Sequence, residues 1–453
     1  LRAGRFRVQP ERLEVAGTDL RLADSSLRID AGVSDYRSAQ PQATFKATGT
    51  IGDPLAQWLQ DTQHVPAEFQ VRAPIAIERL DLRWRKNDTA RLEGRFKWPG
   101  DLKIEAALTW GPTDFFLEKL ILSDAQSAAA IQLHHDSAPN TWDFSYKGLL
   151  EKATMAKLWR REQIYSGRLD GDFSAHLPVD APKQSVVQGR LEGADVMVPL
   201  GAYGPLLVHH LDLGSTDRSL RINDLDFTFA QQRMGVTGDL LFSANALEPA
   251  LTLTAESLDL GRLEQLLAKG ASGDAPGESQ AAPARPNVQG TVALRLGRLV
   301  YSPYTWEPMQ ATVVLAGDQT TVEVTRATLC GISTVGRLVW TGREMTLEVA
   351  PSTQGQSVQY TSGCLTGAAS SERIEGTFDI QGKVAATGRN VEELLARLGG
   401  ELRVNADNGR VSNVGQVGLL TNLLAFLSVN NLLRGDGLNL AESGFPYKHI
   451  QLV

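Results

Sequence analysis

The sequence predicts a mainly β protein: a long, twisted, mostly antiparallel sheet curled into an open, solenoid-like groove with a few short capping helices. Three observations predict this class. The first is strand after strand with one apolar and one polar face, as in RLEVAG (Leu13, Val15), LRINDLDFTFA (Leu225, Phe227, Phe229), ALTLTAES (Leu251, Leu253) and TVEVT (Val322, Val324). The same alternation returns in EMTLEVA (Met345, Leu347, Val349) and ELRVNA (Leu402, Val404). Successive side chains on a strand point to opposite faces, so each run presents an apolar side and a polar side. The second is the rarity of helical patterns, too few to alternate with every strand as βαβ units require. The third is composition: 453 residues, 42% hydrophobic and 21% charged, with a mean hydropathy of -0.18, describe an ordinary globular chain with a large core.

Four segments follow from the text. Residues 1–150 and 151–269 read as an N-terminal and a middle β-groove segment, the boundary falling near the helical pattern around Met155. GASGDAPGESQAAPARPN, 270–287, lacks periodicity and reads as a flexible Gly/Ala/Pro linker or loop. Residues 288–453 form a C-terminal β region. Helical patterns occur in PLAQWLQDTQ, EKATMAKLWRR, LGRLEQLLAKG and NVEELLARLGG, the last after the N-cap residue Asn390. They read as caps on a sheet. The most apolar candidate is a helix over 414–434 with Leu419, Leu420, Leu423, Leu424 and Leu427 on one face. Asn and Ser interrupt it, so it predicts a helix lying on the sheet or at a membrane surface, not one spanning a bilayer.

The opening LRAGRFRVQPERLEV is already strand-like, with no charged and apolar leader, and FPYKHIQLV at the other end reads as a strand. The expectation is a segment of a longer chain whose anchor lies outside it. A net charge of -7 with both signs mixed along the chain removes the electrostatic case for nucleic acid. The two cysteines, Cys330 and Cys364, exclude a four-thiolate zinc site; they are either a single disulfide between neighbouring strands or two buried thiols.

Catalytic patterns are poorly represented. No phosphate loop, HExxH, GxSxG or strand-linked GxGxxG is present. His134-His135 and His209-His210 are adjacent, and neighbours on a strand face opposite ways, so neither pair chelates one metal easily. Asp224 with Asp226, and Glu344 with Glu348, share strand faces but read as solvated charges that protect a sheet from aggregation. No catalytic residue, metal or cofactor is expected.

The final third carries more specific text. IEGTFDIQGKVAATGRNVEELLARLGGELRVNADNGRV, with Gly399, Gly400, Leu402, Val404, Asn408, Gly409 and Val411, resembles the C-terminal region of the AsmA-like proteins. VTGDLLFSANALEPALTLTAESLDLGRLEQLLA is similar to an upstream unit of that family, and Gly444, Phe445, Tyr447 and Ile450 match its YhdP-like branch. The likeness runs from about Val236 onward. It implies a non-enzymatic protein of the Gram-negative envelope, in the periplasm and held in the inner membrane by an N-terminal helix absent from this sequence. Its partners would be phospholipids, the inner and outer membranes through other parts of the parent chain, and envelope proteins.

Relatives of this kind act as bridges that carry lipid between membranes in an apolar trough, which supports outer-membrane biogenesis. The physics agrees. Exposing acyl chains to water costs roughly 0.8 kcal/mol per methylene, so a two-chain lipid with about 30 methylenes faces a barrier on the order of 24 kcal/mol. About 25 strands at roughly 4.8 Å spacing would extend about 120 Å, long enough for a conduit. The expected lining is Leu225, Phe227, Phe229, Leu251, Leu253, Val322, Val324, Met345, Leu347, Val349, Leu402 and Val404. The competing expectations are apolar faces packed on each other as two sandwiches, and a scaffold or chaperone-like factor that assists outer-membrane protein assembly through exposed strand edges.

Overall fold

The structure is a computed structural model that describes residues 4–63, 65, 70–138, 140–160, 167–199, 203–243, 246–271, 287–366, 373–412 and 445–452. It is mainly β, 71% strand, in one mixed sheet of 24 strands that is not closed into a barrel. The apolar helix expected over 414–434, Gly444 and nearly all of the 270–287 linker lie outside the described residues.

The chain divides into two compact units, one comprising Leu1–Phe229, Val236–Glu248 and Ala275–Asn287, the other Ala230–Gly235, Pro249–Asp274 and Val288–Val453. The first unit runs β1 (Arg5–Gln9), β2 (Arg12–Leu22), β3 (Ser25–Ser34), β4 (Gln42–Ile51), α1 (Asp53–Thr62), β5 (Ile75–Arg85), β6 (Ala90–Trp98) and β7 (Leu102–Trp110). It continues with β8 (Asp114–Ser123), β9 (Ala128–Ser137), β10 (Asn140–Leu150), α2 (Lys152–Leu158), β11 (Arg168–Pro178), β12 (Val186–Pro199), β13 (Pro205–Thr216) and β14 (Ser219–Phe229). From β1 to β14 each strand pairs antiparallel with the next. The pairing of β10 with β11 carries the sheet across the boundary expected near residue 150.

β15 (Gln232–Phe242) is divided between the units. The second unit holds β16 (Leu247–Asp259) from Pro249 onward, α3 (Leu260–Ala271), β17 (Gln289–Tyr301), β18 (Tyr304–Ala316), β19 (Gln319–Leu329), β20 (Ile332–Trp340), β21 (Met345–Ser357) and α4 (Val358–Thr366). β22 (Arg373–Gly388), α5 (Val391–Ala396), β23 (Gly399–Ser412) and β24 (Phe445–Leu452) complete it. β17 to β24 is again an antiparallel meander.

One expectation is corrected here. β16 and β17 pair parallel, Leu251 opposite Val292, so α3 belongs to a β–α–β crossover and is not only a cap. A parallel pair needs a connection of a dozen or more residues, and the stretch from α3 to Asn287 supplies it. α4 is a helix that no periodicity announced: VQYTSGCLT is poor in strong helix formers. α1, α2 and α5 form where the sequence places them, and the Asn390 side chain accepts from the Glu393 amide at 2.8 Å as an N-cap.

Candidate functional site

Residues directly opposite each other on neighbouring strands share a face, so the register shows which side chains stand together. In the first unit one row reads Phe6, Val15, Ala31, Phe45, Leu82 and Leu92 across β1 to β6. It continues through Leu108, Leu117, Leu133, Phe144, Ala175 and Val187 across β7 to β12. Twelve successive strands thus contribute an apolar residue with no polar interruption, about 53 Å at 4.8 Å per step. Apart from exposed Phe6 and buried Ala175 and Val187, the members are half-buried. Leu225, Phe227 and Phe229 fall on the continuation of this face, Leu225 opposite Leu211 and Phe227 opposite Val208.

The second unit repeats the arrangement. One row reads Leu251, Val292, Val313, Val322, Leu338, Leu347 and Ala386. The next reads Leu253, Leu294, Ala311, Val324, Gly336, Val349 and Val384. Met345 stands opposite Trp340, Leu402 opposite Gly382, and Val404 opposite Ile380, all on that same face. The nine expected lining residues of this unit are therefore one surface, and each is half-buried. The opposite face is polar: Glu323, Arg337 and Glu348 stand in line on β19, β20 and β21 with alternating charge.

Exposure changes along the strands of the first unit. At the end that carries the helices, Leu102, Ile104, Leu122, Ala129, Tyr146, Leu150, Leu158 and Phe173 make a close-packed core. The Tyr146 ring is 1% exposed, and its hydroxyl donates to the Leu169 carbonyl at 2.9 Å. Burial pushes its pKa up. Gly148 has φ 118, and a Cβ there would meet the Ala128 carbonyl oxygen at 2.0 Å, so only glycine lets the strands approach this closely. At the other end of the same strands Trp84, Phe115 and Trp142 are exposed, Trp142 by 42%.

The closed end is fastened through α2. Helices this short do not stand alone. The Glu151 amide donates to Ser127 Oγ at 2.8 Å, Ser127 and Thr154 hydroxyls lie 2.6 Å apart, and Thr154 Oγ1 donates to Asp124 Oδ2 at 2.8 Å. Because Thr154 spends its proton on Asp124, Ser127 is the donor to Thr154. Lys157 Nζ reaches Asp124 Oδ2 at 2.7 Å and the Gly100 carbonyl at 3.0 Å. The Asp124 side chain is 0% exposed. Burial alone would raise its pKa, but Lys157, the Gln126 and Ser127 amides and Thr154 together hold it down at about 2.

In the second unit the corresponding closure lies around α4. Cys330, in the β19–β20 turn, is disulfide-bonded to Cys364 on α4, and Thr361 Oγ1 donates to the Cys330 carbonyl at 2.9 Å. The bond joins a turn to a helix and not two neighbouring strands. Leu258, Leu296, Met309, Ala327 and Cys330 are buried towards this end, while Trp340 at the opposite end is 46% exposed.

The histidine pairs split as adjacency demands. His135 stacks on Trp142 with centroids 4.1 Å apart, while His134 turns to Asp143 at 3.5 Å and Asp136 at 3.2 Å. His209 meets Thr228 Oγ1 at 2.8 Å and His210 lies 3.7 Å from Asp224. Among the described residues, no group of three or more His, Cys, Asp or Glu is arranged to hold a metal, and no helix is long and apolar enough to cross a membrane.

Fold and surface together define an open two-faced β-sheet protein with an apolar side closed at one end of its strands. No protein-family model matches the chain, and neither a curated protein nor a solved structure matches it.

Proposed function

We propose that this chain binds the acyl chains of phospholipids non-covalently on its apolar face, as one segment of a periplasmic bridge that moves lipid between the inner and outer membranes. The observation that carries this reading is the unbroken apolar row over twelve strands, matched by a second surface in the other unit, with most members half-buried. A continuous apolar path is what lowers the cost of carrying methylenes through water. The AsmA-like resemblance supplies the envelope location and the non-enzymatic role.

Native mass spectrometry with lipid extraction on gently purified protein tests it: several co-purifying phospholipids per chain are expected. Leu347→Asp and Val324→Asp place a charge on the apolar face. Each should abolish lipid transfer between vesicles while the folded sheet persists in circular dichroism. Normal transfer by a folded double variant would remove the groove from consideration.

A second reading, a scaffold for outer-membrane protein assembly, draws on β1, which pairs with β2 and carries exposed Phe6 and Val8. It predicts capture of extended peptides by strand addition and no bound lipid.

A further inference from the structure

Trp110, Phe115, His135 and Trp142 stand in register on β7 to β10 at the end of the apolar face remote from α2, and Trp84 is the last residue but one of β5 at the same side. Tryptophan carries an apolar body and a polar tip, and such rings favour the boundary between hydrocarbon and water. Ala90, opposite Trp110 in this row, is buried. The turns just beyond carry both signs, Arg85 against Asp88 at 3.1 Å and Arg37 over the Tyr36 ring, which suits a dipolar phosphate-and-ammonium headgroup.

From this we infer that a two-chain phospholipid lies in the first unit with its tails along the strands, its ester region at this aromatic rim and its methyl ends against the closed core. The inference rests on the lipid-binding reading and adds an orientation to it. Depth supports it. Trp142 and the buried Tyr146 are four residues apart on β10, about 14 Å at roughly 3.4 Å per residue. Trp110 and the buried Ile104 are six apart on β7, about 20 Å. One leaflet of a bilayer's hydrocarbon core is about 15 Å deep. Tails laid across the strands would have no reason to meet aromatic rings at one end and a closed core at the other.

The test is photo-cross-linking in the full chain, with benzoylphenylalanine in place of Trp142 or, separately, of Trp98, which stands opposite Leu102 at the closed end. Phe115 and Phe96 serve as the second pair of positions should the indole variants fail to fold. After loading from dipalmitoyl phosphatidylcholine vesicles, mass spectrometry of the adducts locates the attached carbon. The expected result is a shift, from carbons near the ester at the rim to carbons near the methyl end at Trp98. The same carbon distribution at both positions, with lipid still recovered by extraction, overturns the orientation and leaves lipid binding standing. No extractable lipid overturns both.

Discussion

Each unit closes one end of its apolar face with a short helix that could not stand alone, yet the fasteners differ. In the first, α2 is held by a directional chain of hydroxyls ending on a carboxylate, with Lys157 completing the charge balance. In the second, α4 is held covalently through Cys330 and Cys364, with Thr361 adding one hydrogen bond. The polar fastener needs no particular redox environment but depends on Asp124 staying ionised. The covalent one is indifferent to protonation but exists only where thiols are oxidised. The same architectural task thus leaves the two closures open to opposite perturbations.

The largest effect is expected from the covalent side. A bridge closing a sequence separation of 34 restrains the unfolded chain by about 3–4 kcal/mol on the chain-entropy model. Reduction, or Cys330→Ser with Cys364→Ser, should therefore raise amide exchange across α4 sharply and leave α2 protected. Equal loss in both helices would show that the closures are one cooperative element.

Acid should act on the other closure. Asp124 has its pKa lowered from 3.8 to about 2, so its contribution is fully present above about pH 4 and is lost as pH falls through 2. A shift of that size corresponds to about 2 kcal/mol. Exchange in α2 measured down this range should rise before that in α4, and Asp124→Asn should produce the same loosening at neutral pH. An α2 that stays protected in Asp124→Asn would assign the fastening to Lys157 and Gly100 instead.

The smallest effect belongs to Thr361→Val, which deletes one buried hydrogen bond and should cost about 1 kcal/mol in thermal unfolding. A loss as large as that of the disulfide would mean that the hydroxyl, not the sulfur bridge, positions α4.

Sequence alternation was legible where the ladder is regular and illegible where it is not. On β21, Met345, Leu347 and Val349 keep a strict period of two, and so this surface could be read directly. On β8 the apolar face takes Phe115 and Leu117, then Leu120 and Leu122, because an irregularity between Leu117 and Leu120 shifts the phase. β5 does the same between Ile77 and Arg79. Such bulges rotate later side chains by one position, which hid the twelve-strand apolar row of the first unit from a period-two reading. The fastening of α2 was equally hidden, since Thr154 and Lys157 are brought to the Asp124–Ser127 turn only by tertiary packing. Cys330 and Cys364 were visible as a pair, but the helix that carries Cys364 was not, because contacts rather than propensity stabilise it.

The parallel pairing of β16 with β17 bears on how the chain reaches this state. In both meanders every strand finds its partner next to it in sequence, so the search is local and loop closure is inexpensive. Leu251 and Val292, by contrast, lie 41 residues apart and are joined by a helix and a long connection. The meanders can zip up hairpin by hairpin as the chain leaves the ribosome, while this crossover has to wait for the helix and the long connection between its two strands as well. β16 and β17 remain neighbours in both sequence and sheet, but closing so long a loop costs more chain entropy than closing a hairpin, which slows this pairing relative to the others.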